Sequence, residues 1–172
     1  VTGRSIDRLK KSFDGTDAKL IEFDIGDIDN IKSNTKKCLE FFNNKVDILI
    51  NNAGVGVRRS IEELNINDFL DVYNVNVFGL SLLTKEIIPL MKNQKNGTII
   101  NIGSTASLKG YPTGSIYSSS KFAVRCLTQC WQAELRPFNI RVCQVNPSEV
   151  TTAFANPERV ERDEIPNKLT PK

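Results

Sequence analysis

Val46-Asp47-Ile48-Leu49-Ile50-Asn51-Asn52-Ala53-Gly54 is the stretch on which the fold turns. A short apolar run stops abruptly at two asparagines, an alanine and a glycine, the pattern of a buried strand with a tight exit. A strand apolar on both sides needs cover on both sides. Parallel sheets flanked by helices provide that cover, whereas half-exposed antiparallel strands alternate apolar and polar residues.

The chain on either side alternates in the same sense. Upstream, residues 1–3 read as the end of a strand, 5–13 as a short helix, and 19–23 as a strand ending at Asp24. Residues 28–44 follow as a helix with apolar Ile31, Cys38, Leu39 and Phe42. Downstream come a long helix over 67–93, a turn at Asn96-Gly97, a strand over 98–102, a helix over 113–137 and a strand over 140–145. This order predicts an α/β fold: a doubly wound parallel sheet, Rossmann-like, in three α/β/α layers. Ligands in such sheets bind beyond the carboxyl ends of the strands. Asp24, Asn51 to Gly54, Ser104 and Asn146-Pro147 all fall there. Residues 1–152 read as one partial core, and 153–172, charged and proline-containing, as a substrate lid or mobile tail of the same domain.

Composition narrows the function. With 172 residues, 40% of them apolar and 25% charged, the chain is an ordinary globular domain. Its net charge of +3 is scattered over pairs such as Lys10-Lys11, Lys36-Lys37 and Arg58-Arg59, which gives nucleic acid no basic stripe to bind. No apolar run is long enough to span a membrane and no leader pattern opens the chain, so a cytoplasmic location is expected. Cys38, Cys126, Cys130 and Cys143 lack metal or redox spacing and sit in apolar-periodic segments, as small buried hydrophobes do. Histidine is absent, which excludes a Ser-His-acid triad and imidazole ligands for zinc within the chain.

Chemistry concentrates in Tyr117-Ser118-Ser119-Ser120-Lys121. Positions i and i+4 share one face of a helix, so the phenol and the ammonium can point into the same space. A cation there favours phenolate and would draw the tyrosine pKa down from about 10 toward working pH, producing a proton donor and acceptor for a substrate oxygen. Taken singly, the pair also reads as exposed helical neighbours, Ser104 as a cap and Asn76 as a solvent-facing residue in mid-helix.

Asp24 after a strand, Asn51-Asn52-Ala53-Gly54, Asn76-Val77-Phe78-Gly79, Ser104, Tyr117-x-x-x-Lys121 and Asn146-Pro147 come in the order found in short-chain dehydrogenases/reductases. Over nearly its whole length the chain resembles that family. The resemblance implies an NADP(H)-dependent oxidoreductase that moves a hydride between a nicotinamide cofactor and a carbonyl or alcohol. It gives Tyr117 the acid/base role, Lys121 the nicotinamide ribose and the lowering of the Tyr117 pKa, Ser104 the substrate oxygen, and Asn76 a water relaying protons from Lys121. Asp24 and Ile25 would border the adenine, Asn52, Ala53 and Gly54 would let the cofactor approach the backbone, and Val150 and Thr152 would meet the carboxamide. Gly3 stands where NAD enzymes of this layout place an acid, and Arg4 follows it, which favours NADP over NAD.

Set against the family, the first strand and Gly-rich turn would precede Val1 and the last elements would follow Lys172, so the chain reads as a piece truncated at both ends. Ser148 also stands where the family usually has glycine. The likeness is strongest to carbonyl reductases of the 3-oxoacyl-(acyl-carrier-protein) reductase type, with sugar, steroid-like and small aldehyde substrates open. The alternative is a non-catalytic dinucleotide-binding or regulatory member. Dimers or tetramers built on the helices of Asn76 and Tyr117 are implied as well.

Overall fold

A computed structural model of the chain describes residues 1–150 and Phe154. The apolar run quoted above forms the edge of a three-stranded parallel sheet in which β3 (Ile48–Asn51) pairs with β4 (Gly97–Ile102), and β4 with β5 (Ile140–Val145). A second parallel pair joins β1 (Thr2–Gly3) to β2 (Ile21–Glu22). The register aligns Leu49 with Ile99 and Val142, and Asn51 with Asn101 and Gln144. Each of these rows lies on one face of the sheet, because successive side chains alternate faces.

Helices α4 (Leu80–Gln94) and α5 (Ser115–Leu135) cover that face. Ile87 and Met91 from α4 and Leu135 from α5 close over Ile99, Ile140 and Val142, with Leu49 and Trp131 packed at the margin. The opposite face of β3 is different. Ile48 is 59% exposed and Ile50 57%, so the expected cover on both faces is not supplied to this strand by the described residues.

Elsewhere the helices start and stop on local chemistry. Ser5 caps α1 (Ile6–Ser12) by accepting from the Arg8 amide at 3.5 Å, with Asp7 in the first turn and Lys10 and Lys11 in the last, as the helix dipole favours. The expected helix over 28–44 is shorter. It begins with a tight turn over Ile28–Asn30, continues as α2 (Ile31–Glu40), and ends before Asn43 and Asn44, both in the left-handed region that asparagine tolerates (φ 49° and 56°). Lys95 (φ 50°), rather than Asn96-Gly97, makes the reversal after α4, and Gly97 is already in β4. The helix over 113–137 is α5 followed by a turn at Arg136–Phe138.

Two expectations are overturned. The single helix over 67–93 is α3 (Ile66–Tyr73), a wider π-helical segment (Asn74–Gly79) and α4 in succession. The cysteines are not core residues either: Cys126 and Cys130 are exposed, and Cys38 and Cys143 are half-buried. Cys126 and Cys130 stand one turn apart beside exposed Phe122 on the side of α5 turned away from the sheet, where an apolar period no longer means burial. Thr152 and all of 153–172 except Phe154 lie outside the described residues. Among those described, no helix is long and apolar enough to cross a membrane.

Gly79 allows the π segment to sit against the turn after β2, because a Cβ there would overlap the Ile25 carbonyl oxygen and come within 2.8 Å of the Asn74 carbonyl. Both obstacles are backbone, so neither can swing aside. Gly79→Ala should therefore cost about 1–3 kcal/mol, the range for overpacking. Urea unfolding would show it as a lower midpoint at an unchanged slope. Gly110→Ala, at a position with nothing within 4 Å, is the matched control and should leave the midpoint in place.

Candidate active site

Ser104 follows β4 directly. Its hydroxyl oxygen accepts from the Ala106 amide at 3.1 Å and its own N–H donates to Ser107 Oγ at 3.1 Å, which fixes it as the cap of the short turn Thr105–Ser107. The hydroxyl hydrogen stays available to a further acceptor. Tyr117, in the first turn of α5, is half-buried. Its pKa is raised above 10.0 by burial, with a hydrogen bond from the Ser104 side chain opposing and the nearby Tyr111 adding to the rise. The expected lowering by Lys121 is thus absent in the free protein. The Lys121 ammonium donates to the Ile102 carbonyl at 2.8 Å and lies 5.8 Å from the centre of the Tyr117 ring, and burial of the phenol outweighs any effect of its charge. Burial instead lowers the Lys121 pKa from 10.5 to about 8.

Asn76 is the most constrained member. It lies in the π segment, 1% exposed, and clamps Val55 from both sides: Oδ1 accepts from the Val55 amide and Nδ2 donates to the Val55 carbonyl, each at 2.9 Å. Nδ2 also donates to Ser120 Oγ at 3.0 Å, and Ser120 in turn donates to the Tyr117 carbonyl at 2.7 Å. Both amide hydrogens are therefore engaged by protein. A relay water could be held only by the second lone pair of Oδ1 or by the Asn76 backbone carbonyl, not donated to by the side chain. A Cβ on Gly54 would be 3.5 Å from both Asn76 Oδ1 and Lys121 Nζ, so the loop after β3 closes on both. The rival hydroxyls face elsewhere: Ser119 bonds back to the Ile116 carbonyl at 3.0 Å, and Ser118 Oγ is buried with no hydrogen-bond partner among the described residues.

The proposed cofactor residues divide. Arg4 and Asp24 line one cavity of about 460 Å³ with Gly26, Val55, Val72 and Val75. Asp68, Asp71 and Asn74 line it as well, so the wall mixes valines with charged and polar groups around a volume that would admit a nucleoside-sized group. Asp24 Oδ1 also accepts from the Gly26 amide at 2.8 Å, so its turn role and its place in the cavity coexist. Ile25 contributes its backbone, packed on Gly79. Asn52 and Ala53 are exposed at the exit of β3, and Val150 is half-buried. A larger cavity of about 820 Å³ lies near Gly97, Arg136 and Ile140, at the other ends of the strands, and touches none of these residues. No metal-binding cluster occurs among the described residues.

Sequence reasoning missed the buried polar row beneath the site. Asn51 Nδ2 donates to Thr84 Oγ1 on α4 at 3.0 Å and to Asn101 Oδ1 at 2.9 Å, and Asn101 Nδ2 donates to Thr128 Oγ1 on α5 at 2.9 Å. A polar residue at the same level of each apolar strand was the available signal. Phe154 was missed as well. Its ring lies 5.7 Å from that of Tyr117, at a tilt of 55°.

Comparison with known proteins agrees with this geometry. The profile of the short chain dehydrogenase family matches residues 3–163, and the chain belongs to that family. A 3-ketodihydrosphingosine reductase of Bacteroides thetaiotaomicron is 37% identical over 112 residues, 65% of this chain and 42% of that protein. The 3-oxoacyl-(acyl-carrier-protein) reductase FabG of Thermotoga maritima is 31% identical over 154 residues, 88% of this chain and 62% of its own length. The chain thus spans 42% and 62% of the length of these two relatives. Among solved structures, an alcohol dehydrogenase from the archaeon Thermococcus sibiricus complexed with 5-hydroxy-NADP superposes with a TM-score of 0.85 at 28% identity, over 98% of this chain and 72% of that one. A 3-ketoacyl-(acyl-carrier-protein) reductase from Brucella melitensis complexed with NADH gives 0.81 at 29% identity, over 87% and 64%. The chain has the parallel α/β fold of that family.

The burial of Lys121 has a signature in stability. The folded chain releases the Lys121 proton near pH 8, while the unfolded chain keeps it to about 10.5. Between those values the unfolded state binds more protons, so stability rises with pH there. Relative to Lys121→Met, the native protein should gain up to about 3 kcal/mol between pH 8 and 10.5 in urea titrations. A difference independent of pH would show that Lys121 titrates as an exposed lysine.

Proposed function

We propose that this chain carries the catalytic part of an NADP(H)-dependent carbonyl reductase working through Ser104, Tyr117, Lys121 and Asn76. The observation that carries the reading is the Ser104 side chain hydrogen-bonded to a Tyr117 phenol that burial keeps protonated. A protonated phenol is the form that gives a proton to a carbonyl oxygen. Bound nicotinamide would supply the hydride. Tyr117 delivers the proton to the oxygen that becomes the alcohol, and Ser104 hydrogen-bonds that same oxygen as charge develops. Lys121 and Asn76 sit one contact from Gly54, where they can order the loop that approaches the cofactor.

For the cofactor, Gly3 offers no carboxylate and Arg4 lines the nucleoside-sized cavity, which supports a 2′-phosphate and hence NADP(H). On the substrate side, Leu108, Tyr111 and Phe154 are exposed large apolar groups, and Phe154 lies against Tyr117. That rim suits a carbonyl with an apolar body. Two relatives, a 3-ketodihydrosphingosine reductase and a 3-oxoacyl-(acyl-carrier-protein) reductase, point to a 3-oxo compound. Exposed Leu70, Phe78 and Phe122 on the helices of Asn76 and Tyr117 support pairing of these helices between subunits.

Tests belong on the full-length protein. Tyr117→Phe should lower kcat for NADPH-dependent reduction of 3-oxoacyl thioesters by about a hundredfold or more, the scale of a lost general acid. Unchanged turnover would overturn the mechanism. NADPH binding with no turnover on a broad carbonyl panel would favour a non-catalytic member. Arg4→Asp should shift kcat/KM from NADPH toward NADH, and no shift would remove Arg4 from cofactor selection.

A further inference from the structure

We propose that Gln144 and Asn146 are positioning residues for Ser104, holding its backbone through the last two links of a side-chain hydrogen-bond chain that crosses the sheet from α4. The functional half of this inference rests on the reductase reading, while the positioning itself does not. The chain starts at Thr84, passes through Asn51 and Asn101, and reaches the Thr128 hydroxyl, which faces both the Val124 carbonyl at 2.8 Å and Gln144 Oε1 at 3.2 Å. Gln144 Nε2 then donates to Asn146 Oδ1 at 2.6 Å, and the Ser104 amide donates to that same oxygen at 3.3 Å.

The Ser104 end sets the sense of both amides. A backbone N–H can only donate, so Asn146 must turn its oxygen toward Ser104. Two amide oxygens 2.6 Å apart would repel, so Gln144 must in turn present its nitrogen. Its oxygen then faces the Thr128 hydroxyl at 3.2 Å, whose single hydrogen it shares with the nearer Val124 carbonyl. Every orientation follows from the one before it, and Asn51, Thr84, Asn101 and Thr128 are buried, where the alternative to being paired is a large penalty.

Gly103 shows that this route is built into the backbone. A Cβ there would overlap both Asn146 Oδ1 and Gln144 Nε2 and lie 2.8 Å from Ser107 Oγ. The two side chains therefore pass across the glycine to reach Ser104. On either side, ordinary backbone bonds tie the same segments, Gly103 N to Val145 O at 2.8 Å and Thr105 N to Pro147 O at 2.9 Å. The Ser104 amide lies between these two; its N–H is shared between Ser107 Oγ at 3.1 Å and Asn146 Oδ1 at 3.3 Å, and the Asn146 share is what ties it to the segment after β5. The Ser104 hydroxyl takes its position from that backbone and from its bonds with the Ala106 amide and Tyr117, with the Ser107 amide of the capping box also turned toward it.

Backbone amide exchange by NMR and steady-state kinetics on the full-length protein test this together. Asn146→Ala should speed exchange of the Ser104 amide roughly threefold to tenfold, one hydrogen bond's worth, with the amides of Ile99 and Val142 unchanged. Asn146→Asp, which keeps an acceptor for both donors, should restore slow exchange, and Gln144→Leu should give an intermediate rate. In turnover of a 3-oxoacyl thioester, Asn146→Ala should lower kcat by a similar factor at constant KM, and should do so in native protein but not in a Ser104→Ala background. Unchanged Ser104 exchange in both Asn146→Ala and Gln144→Leu would overturn the proposal, as would an equal fold-loss of kcat with and without Ser104. Should Asn146→Ala not fold, Gln144→Leu and Gln144→Glu, both of which remove the donor to Asn146 Oδ1, should each speed exchange of the Ser104 amide. Native protein that turns over no carbonyl yet shows the expected exchange pattern would refute the reductase reading and leave the positioning intact.

Discussion

The three hydrogen bonds of the Asn76 side chain are the constraint on which the site depends. They join the loop after β3, the wide turn between α3 and α4, and the first turns of α5, three segments that have no covalent reason to meet. A buried primary amide suits this because it offers donor and acceptor at one end of a short side chain, and leaving any of them unpaired away from water would be costly. The π segment is what turns Asn76 inward. Extra residues per turn displace the side chains that follow, and π segments recur at functional sites for that reason. The absence of a Cβ at Gly79 then allows this wider turn to rest on the Ile25 backbone, so the nucleoside-sized cavity and the proton-transfer residues are set by the same few contacts.

A second level of organisation lies within the sheet. The row of Leu49, Ile99 and Val142 is apolar and the next row toward the strand ends, Asn51, Asn101 and Gln144, is polar. Packing supplies the stability of the first row, and directional bonds supply the specificity of the second. Thr84 and Thr128 link helices to this polar row while also bonding to the carbonyls of Leu80 and Val124 at 2.8 Å, a pairing that threonine can make four residues back in a helix. Rigidity therefore increases toward the edge where chemistry is placed.

Much of this was legible in the sequence for identifiable reasons. The parallel α/β order followed from apolar runs ending in small or polar residues, and residues 46–54 exposed it plainly. Ser104, Tyr117, Lys121 and Asn76 were found by type and order, and the structure brings them together. What failed were the statements that depend on surroundings. A cation at i+4 does not lower a phenol pKa when burial of the phenol outweighs it, as at Tyr117. Cys126 and Cys130 follow an apolar period on a face that does not meet the sheet. The π segment has no periodicity signal of its own, since six residues are too few to reveal an altered period. The polar row was hidden because asparagine after a strand reads equally well as a turn residue.

The buried Lys121 amine has one more consequence, for reactivity rather than stability. With a pKa of about 8, roughly a tenth of it is unprotonated at pH 7, against well under a thousandth for a solvated lysine. An unprotonated amine is a nucleophile that condenses with aldehydes and takes acyl groups from thioesters. It lies beside Gly54, in the loop proposed to approach the cofactor. Its bond to the Ile102 carbonyl turns one N–H away but leaves the nitrogen lone pair unblocked whenever the proton departs.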